Sequence, residues 1–310
     1  MAAELPLDPY AASRWLGYIG LFGIIGAPVF RALIHRVTRD ARLDPDTGAR
    51  LGAACRRAGL ASAVILVLAN LARLWFQGRS ALDPGEAMSL AAIEPWFEGP
   101  GSWGLMWTTQ LGAAVVALVG LIVARRRLAA GWSLAMLGAA AAALAMPLTG
   151  HAVESRLGAP AGVVLQGLHL LAGGVWLGTL FVLLTATFAA TRGRPDERER
   201  AAAAVVHAYS PLALTGAGIA VALGLVLAWI MLGSLPLLWT TSYGIALLCK
   251  LALLSGVAGL GAWNWRRVRP ALGSAPGARR LRFSATAELV IGALLLGVTA
   301  VLVALPSPRL

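Results

Sequence analysis

The chain has 310 residues, of which 58% are hydrophobic and only 13% are charged, and its mean hydropathy is +0.75. Soluble domains carry about 25% charged residues, so this composition excludes an ordinary soluble protein. The formal net charge of +12 is compatible with binding to nucleic acid or to a membrane, and the placement of the basic residues decides between the two.

Eight long apolar runs fill almost the whole chain, and we predict that each forms a transmembrane helix. A helix needs roughly 20 apolar residues to cross the hydrocarbon core, and in lipid it satisfies its own backbone hydrogen bonds. The predicted fold is all-α, a polytopic membrane bundle in one domain, 1–310, with four-helix halves at 1–148 and 149–310. The predicted spans are 13–34, 58–77, 103–124, 131–148, 162–190, 207–232, 240–264 and 284–305.

The basic residues collect in alternate connections between these runs. The first, third, fifth and seventh connections hold most of the 26 lysines and arginines, whereas the segment 81–98 is acidic. Positive residues favour the cytoplasmic side of a membrane, so we expect both termini to be periplasmic. The expected partner is therefore the lipid bilayer and not a nucleic acid. The first residues lack the basic segment of a secretory signal, and we expect the first helix to remain in the mature protein.

Histidines and methionines are expected to meet near the periplasmic ends of the helices. His151 follows the fourth run and His169 lies about two turns into the fifth, while Met146 ends the fourth run. Imidazole and thioether groups bind Cu(I), and imidazoles also bind Cu(II). A copper site at His151, His169 and Met146, assisted by Met106 and Met231, is therefore one hypothesis. Because methionine is also a common apolar filler, the spacing alone favours plain packing over it.

For two large side chains in the first five spans, the position along the span suggests a role. Trp176 shares a helix face with His169 and lies too deep for an interfacial belt residue. It is expected either to close the floor of an external cavity or to fill the core. Arg73 lies near the outer end of the second span, and we expect its guanidinium to snorkel to the interface.

Polar residues also occur in the last two spans. Tyr243 and Lys250 lie on one stripe of the seventh helix, and a bare ammonium at that depth is unfavourable without a partner or water. We predict that both line an inner route, with a structural hydrogen-bonding role equally open for Lys250. Glu288 is expected to pair with Asn264 or with a basic residue of the 266–282 connection, in a structural or a route-lining role.

Several of these residues belong to an ordered set of short motifs. The segment His169-Leu-Leu-Ala-Gly-Gly-Val-Trp176-Leu-Gly178 resembles the characteristic helix of the CopD family of copper-resistance membrane proteins. Each motif alone is weak, and the set in order is strong. The other similar segments are Gly150-His151-Ala152, Ser210 to Gly216, Thr241 to Lys250, Asn264 with Arg266 and Arg267, and Glu288 with Pro306.

This resemblance implies an eight-helix, multi-pass protein of the bacterial inner membrane that handles copper. The predicted spans contain no GxSxG, HExxH or paired carboxylates, so we expect that the protein is not an enzyme. The resemblance also implies a possible periplasmic partner of the CopC type, which we expect to be a separate protein. The leading hypothesis is a copper permease or acquisition component that receives copper at the periplasmic face. No GxxxxGK[ST] motif indicates ATP binding.

Two other functions stay open from the sequence. A histidine pair between membrane helices can hold haem, so a haem b electron-transfer protein is an alternative in which His151 and His169 are the axial ligands. The second alternative is a non-transporting protein that only docks a periplasmic copper chaperone.

Overall fold

The computed structural model describes residues 9–83, 87–154, 157–271, 275–306 and 308. The description excludes the side chains of residues 81, 90, 151, 154, 271 and 275–279. Within the described ranges the chain is helical without β-strands, and eight helices are long and apolar enough to cross a membrane. The predicted all-α membrane fold is thereby confirmed. The orientation of the termini and the division into two halves stay predictions.

The eight long helices are separated by short turns and by small helical segments. A π-helical turn at Gly174–Gly178 interrupts the fifth helix, and another at Asn264–Val268 ends the seventh. The 3₁₀ segments Met146–Thr149 and His151–Glu154 follow the fourth helix. The long helices are α1 Pro9–Arg39, α2 Pro45–Ala81, α3 Trp103–Val123, α4 Leu128–Ala145, α5 Ala159–Ala190, α6 Pro195–Leu232, α7 Ser242–Val268 and α8 Ala275–Ala304. The remaining short segments are Leu90–Ile93, Glu94–Phe97, Leu237–Thr240 and Arg269–Ala271.

Several helices are longer than the predicted spans, because hydropathy locates the part of a helix that crosses lipid and not the helix itself. Most of the basic connection expected between the first two spans is helical, since arginine has a good helix propensity. The start of α2 is fixed by Asp44, whose carboxylate accepts a hydrogen bond of 3.0 Å from the Thr47 N–H, and by Pro45 at the first helical position. Similarly, α6 begins at Pro195 and not at 207.

Helices α1 and α5 form the centre of the bundle. In each, 72% of the most apolar 18-residue stretch is buried, against 11% in α6 and 17% in α7. Gly26 of α1 lies directly against the backbone of Gly178 in α5, and a Cβ at either position would overlap the neighbouring backbone. Small residues permit such close packing of membrane helices. The contact fixes α5, and with it His169, relative to α1.

Candidate metal site

A cavity of about 90 Å³ lies where the beginning of α1 and the end of α4 meet helices α5 to α8. The sequence-predicted residues that line it come from four different segments of the chain. They are Met146, His169, Met231, Tyr243 and Lys250. Through these five residues the cavity brings together one imidazole, two thioethers, a phenol and an ammonium group.

His169 is held in one orientation by α6. Its Nδ1 lies 2.8 Å from the carbonyl oxygen of Ala220, and because a carbonyl only accepts, Nδ1 carries the hydrogen of the neutral ring. Nε2 then has the lone pair that a metal ion or another donor can use. A Cβ added at Gly224 would lie 3.0 Å from His169 Cε1 and 3.4 Å from Nδ1, so the missing side chain of Gly224 makes room for the ring.

The two methionines approach the cavity from different helices. Met146 is buried in the 3₁₀ turn after α4, and a Cβ added at Gly17 of α1 would lie 3.2 Å from its terminal methyl carbon. Met231 lies in the last turn of α6. Both residues line the cavity together with His169. This donor set suits Cu(I), which prefers thioether and imidazole ligands.

Lys250 and Tyr243 bring polar groups to the cavity from α7. They are two helical turns apart on one face, as the seven-residue spacing predicts, and Thr241 caps this helix by accepting a 3.0 Å hydrogen bond from the Gly244 N–H. Within the described ranges, the Lys250 ammonium forms neither a hydrogen bond nor an ion pair. Of the described side chains that line the cavity, none is a carboxylate.

Two buried arginines share Thr149 as a hydrogen-bond acceptor, and the sequence did not predict their environment. Arg14 is 6% exposed, lines the cavity and donates to the Thr149 carbonyl at 2.7 Å. Arg73 does not snorkel, contrary to the prediction. It is 1% exposed and donates to Gln110 Oε1 at 2.7 Å and to Thr149 Oγ1 at 2.6 Å. These amide and hydroxyl partners supply acceptors inside the bundle, so the guanidinium has no need to reach the interface.

The other predicted residues lie elsewhere or outside the description. The His151 side chain is not among the described residues, so its distance from His169 is not defined. Met106 near the start of α3, Trp176 in the π-helical turn of α5 and Glu288 in α8 do not belong to the described lining of the cavity. Glu288 Oε1 accepts a hydrogen bond of 2.8 Å from Asn264 Nδ2, which is one of the two pairings that the sequence predicts.

Some residues of the site carried little signal in the sequence. Gly224 is one glycine among 36, and its role depends on which residue of α5 faces it. Arg14 lies at the beginning of the first apolar run, where a helix end near water is the ordinary expectation. Its spacing of four residues from Tyr10 and Tyr18 is the one available hint that it shares a helix face with other polar groups.

The whole chain matches known copper proteins. The family model for copper resistance protein D matches residues 203–302, and that for the N-terminal domain of copper resistance protein D-like proteins matches residues 4–162. The copper transport protein CutJ of Bacillus subtilis (strain 168) is 30% identical over 322 aligned positions, covering 99% of this chain and 54% of CutJ. The chain thus spans about half the length of this curated relative. No solved structure matches it. These matches confirm the resemblance found in the sequence, and the chain belongs to the copper resistance protein D (CopD) family.

Proposed function

We propose that this multi-pass membrane protein is a copper permease or copper-acquisition component of the bacterial inner membrane, and not an enzyme. The observation that carries the proposal is the cavity in which His169, Met146 and Met231 line one space inside a CopD-family bundle. Copper is the transported ion and enters from the periplasmic side.

The ligands favour Cu(I) as the bound form. Thioethers are soft and uncharged, and they bind Cu(I) in preference to harder cations. Uncharged donors also hold an ion weakly enough for it to leave, as transport requires. We assign His169 Nε2, Met146 and Met231 as ligands. His151 is a further proposed ligand, because the neighbouring residues Gly150 and Ala152 line the cavity.

The charges around the cavity oppose a bare cation. Arg14 and Lys250 both line it, and its described lining contains no carboxylate. Two positive groups near a monovalent cation raise its energy in a low-dielectric interior. We therefore propose that Lys250 is neutral when copper is bound, and that Tyr243 and Lys250 line the onward route.

The proposal is tested with substitutions that remove one donor at a time. His169→Gln and Met146→Leu keep approximate size, and both are expected to weaken Cu(I) binding by the purified protein and to lower copper accumulation in cells. The matched controls carry the same substitutions at residues that do not line the cavity. They are His207→Gln in α6, whose side chain is exposed, and Met136→Leu in α4, whose side chain is 56% exposed. The proposal is wrong if the site variants and the controls bind and accumulate copper equally.

No observation favours the two alternative functions. The described cavity lining offers one imidazole and about 90 Å³, whereas pockets for larger organic ligands measure roughly 300–1,000 Å³. A Soret band with stoichiometric haem in the purified protein would nevertheless replace copper transport by the haem b function. Copper uptake into liposomes separates a permease from a protein that only docks a CopC-like chaperone, since a docking protein transports no copper by itself.

A further inference from the structure

A second cavity lies at the opposite end of α1. It measures about 380 Å³, is open to solvent and is bordered by the last turns of α1, the first turns of α2 and the turn between α3 and α4. Arg14 borders the first cavity and His35 borders the second, and a rise of about 1.5 Å per residue places them roughly 30 Å apart along the helix. That separation equals the thickness of a bilayer core, so the second cavity lies at the other membrane surface.

Four basic side chains line this second cavity: Arg31, His35, Arg56 and Arg125. Among the described residues, none of the four forms a side-chain hydrogen bond or an ion pair, and the described lining includes no carboxylate. Elsewhere on the same side of the protein, Arg50 pairs with Glu197 at 2.7 Å. Basic groups that converge without a counter-charge repel one another, and an anion between them removes that repulsion.

Two buried, uncharged hydrogen-bond donors in the same lining also lack a partner. The indole Nε1 of Trp132 and the hydroxyl Oγ1 of Thr38 are buried and form no hydrogen bond with any described residue, and both residues line the cavity. Leaving a buried donor unpaired costs about 1–3 kcal/mol, so most such groups in proteins have a partner. The facing wall of α2 carries Gly48 and Gly52. A Cβ at Gly48 would lie 2.6 Å from Thr38 Oγ1 and one at Gly52 would lie 3.8 Å from Arg31 Nη1, so the missing side chains make room for the Thr38 hydroxyl and the Arg31 guanidinium.

From this combination we propose that the second cavity is a binding site for a phosphate group. Guanidinium groups bind phosphate oxygens in pairs of parallel hydrogen bonds, and the Thr38 hydroxyl and the Trp132 indole supply two further donors. The phosphate belongs either to the headgroup of an anionic phospholipid or to free inorganic phosphate. This site is distinct from the copper cavity and does not depend on the proposed copper function.

The positive-inside pattern accounts for basic residues on this side of the membrane, but it requires only that they face water. It does not explain why four of them line one cavity, or why two buried donors on other residues of the same lining lack partners. Arginines on the same two helices that do not line the cavity therefore provide the control. Arg36 in α1 and Arg57 in α2 are exposed, and their removal changes the net charge by the same amount.

The experiment compares Arg31→Gln/Arg56→Gln with the control Arg36→Gln/Arg57→Gln, using the full chain purified in detergent. In the lipid arm, native mass spectrometry measures retention of phosphatidylglycerol against phosphatidylcholine. In the free-anion arm, thermal unfolding is followed with inorganic phosphate against chloride at equal ionic strength. Each lost charge-assisted hydrogen bond weakens binding by about tenfold or more, and we expect this loss in the cavity variant but not in the control.

Each result has a defined meaning. If the unmodified protein retains phosphatidylglycerol selectively and the cavity variant does not, the ligand is the lipid headgroup. If inorganic phosphate stabilises the unmodified protein and phosphatidylglycerol is not retained, the ligand is the free anion. If neither probe binds, or if the control loses as much binding as the cavity variant, the site does not exist. Should the double variant fail to fold, Trp132→Phe removes one donor and no charge, and it is still expected to weaken binding of the same probe.

Discussion

Replacing Gly224 by alanine tests the copper site without removing any ligand. The added Cβ would lie 3.0 Å from His169 Cε1, whereas non-bonded carbon atoms prefer about 3.5–4.0 Å. The imidazole ring must therefore move by about 0.5 Å, away from α6. That movement lengthens the 2.8 Å hydrogen bond from Nδ1 to the Ala220 carbonyl, which orients the ring.

The size of the effect follows from the role of that hydrogen bond. It fixes the ring orientation and leaves Nε2 as the ligand atom, and substitutions of residues that orient a metal-binding histidine reduce metal affinity by about 10–100-fold. We expect Gly224→Ala to weaken Cu(I) binding within this range. Its effect on folding is small, because alanine is favoured over glycine in a helix by about 1 kcal/mol, which offsets the local crowding.

The assay is a competition titration of the purified protein against a chromophoric Cu(I) chelator. Gly218→Ala is the matched control, since it adds the same methyl group to the same helix at a position where nothing lies within 4 Å of the new Cβ. Equal Cu(I) affinity in the Gly224 and Gly218 variants would refute the assignment of His169 as a ligand oriented by α6.

Two other substitutions test the charges of the protein. Lys250→Leu removes the ammonium charge that must otherwise be neutralised when copper binds, and it adds no thioether to the cavity. It is expected to strengthen Cu(I) binding in the same titration, while unchanged or weaker binding would contradict the electrostatic argument. The hydrogen bond from the Thr47 N–H lowers the pKa of Asp44 below its ordinary value, so the cap stabilises α2 fully above that ordinary value and is lost as the pH falls through the lowered pKa. Asp44→Asn retains an N-cap that does not titrate, and hydrogen exchange in the first turn of α2 is then expected to lose its acid sensitivity. The same sensitivity in the variant would show that Asp44 is not its source.

The sequence was sufficient to predict the bundle because the bilayer imposes a length and a composition on every crossing helix. It was less informative about where helices end in water, where hydropathy says nothing. Residues 195–206 of α6 illustrate this, because their charges look like a loop, although Pro195 at the first helical position and Asp196 and Glu197 in the first turn favour a helix.

The site could be predicted in part, through residues whose chemistry is unusual inside a membrane. Lys250 and His169 attract notice wherever they occur in a span. Gly224 and Arg14 do not, because their importance depends on the packing of α6 against α5 and of α1 against the turn that follows α4. Arg73 shows the same limit, since its acceptors Gln110 and Thr149 lie on other segments, and a single sequence does not reveal such pairings.

The proposed ligands are distributed over helices that differ greatly in burial, and under the proposed function this bears on how copper would leave the site. His169 lies on α5, which is bound to α1 through the close contact of Gly26 and Gly178. Met231 and the Ala220 carbonyl that orients His169 lie on α6, of whose most apolar stretch only 11% is buried. Displacing α6 disrupts less packing than displacing α5, and weakly packed elements are the ones that move in conformational changes. A small shift of α6 would withdraw one thioether and the orienting carbonyl together, which lowers the affinity for Cu(I) without any change in α1 or α5.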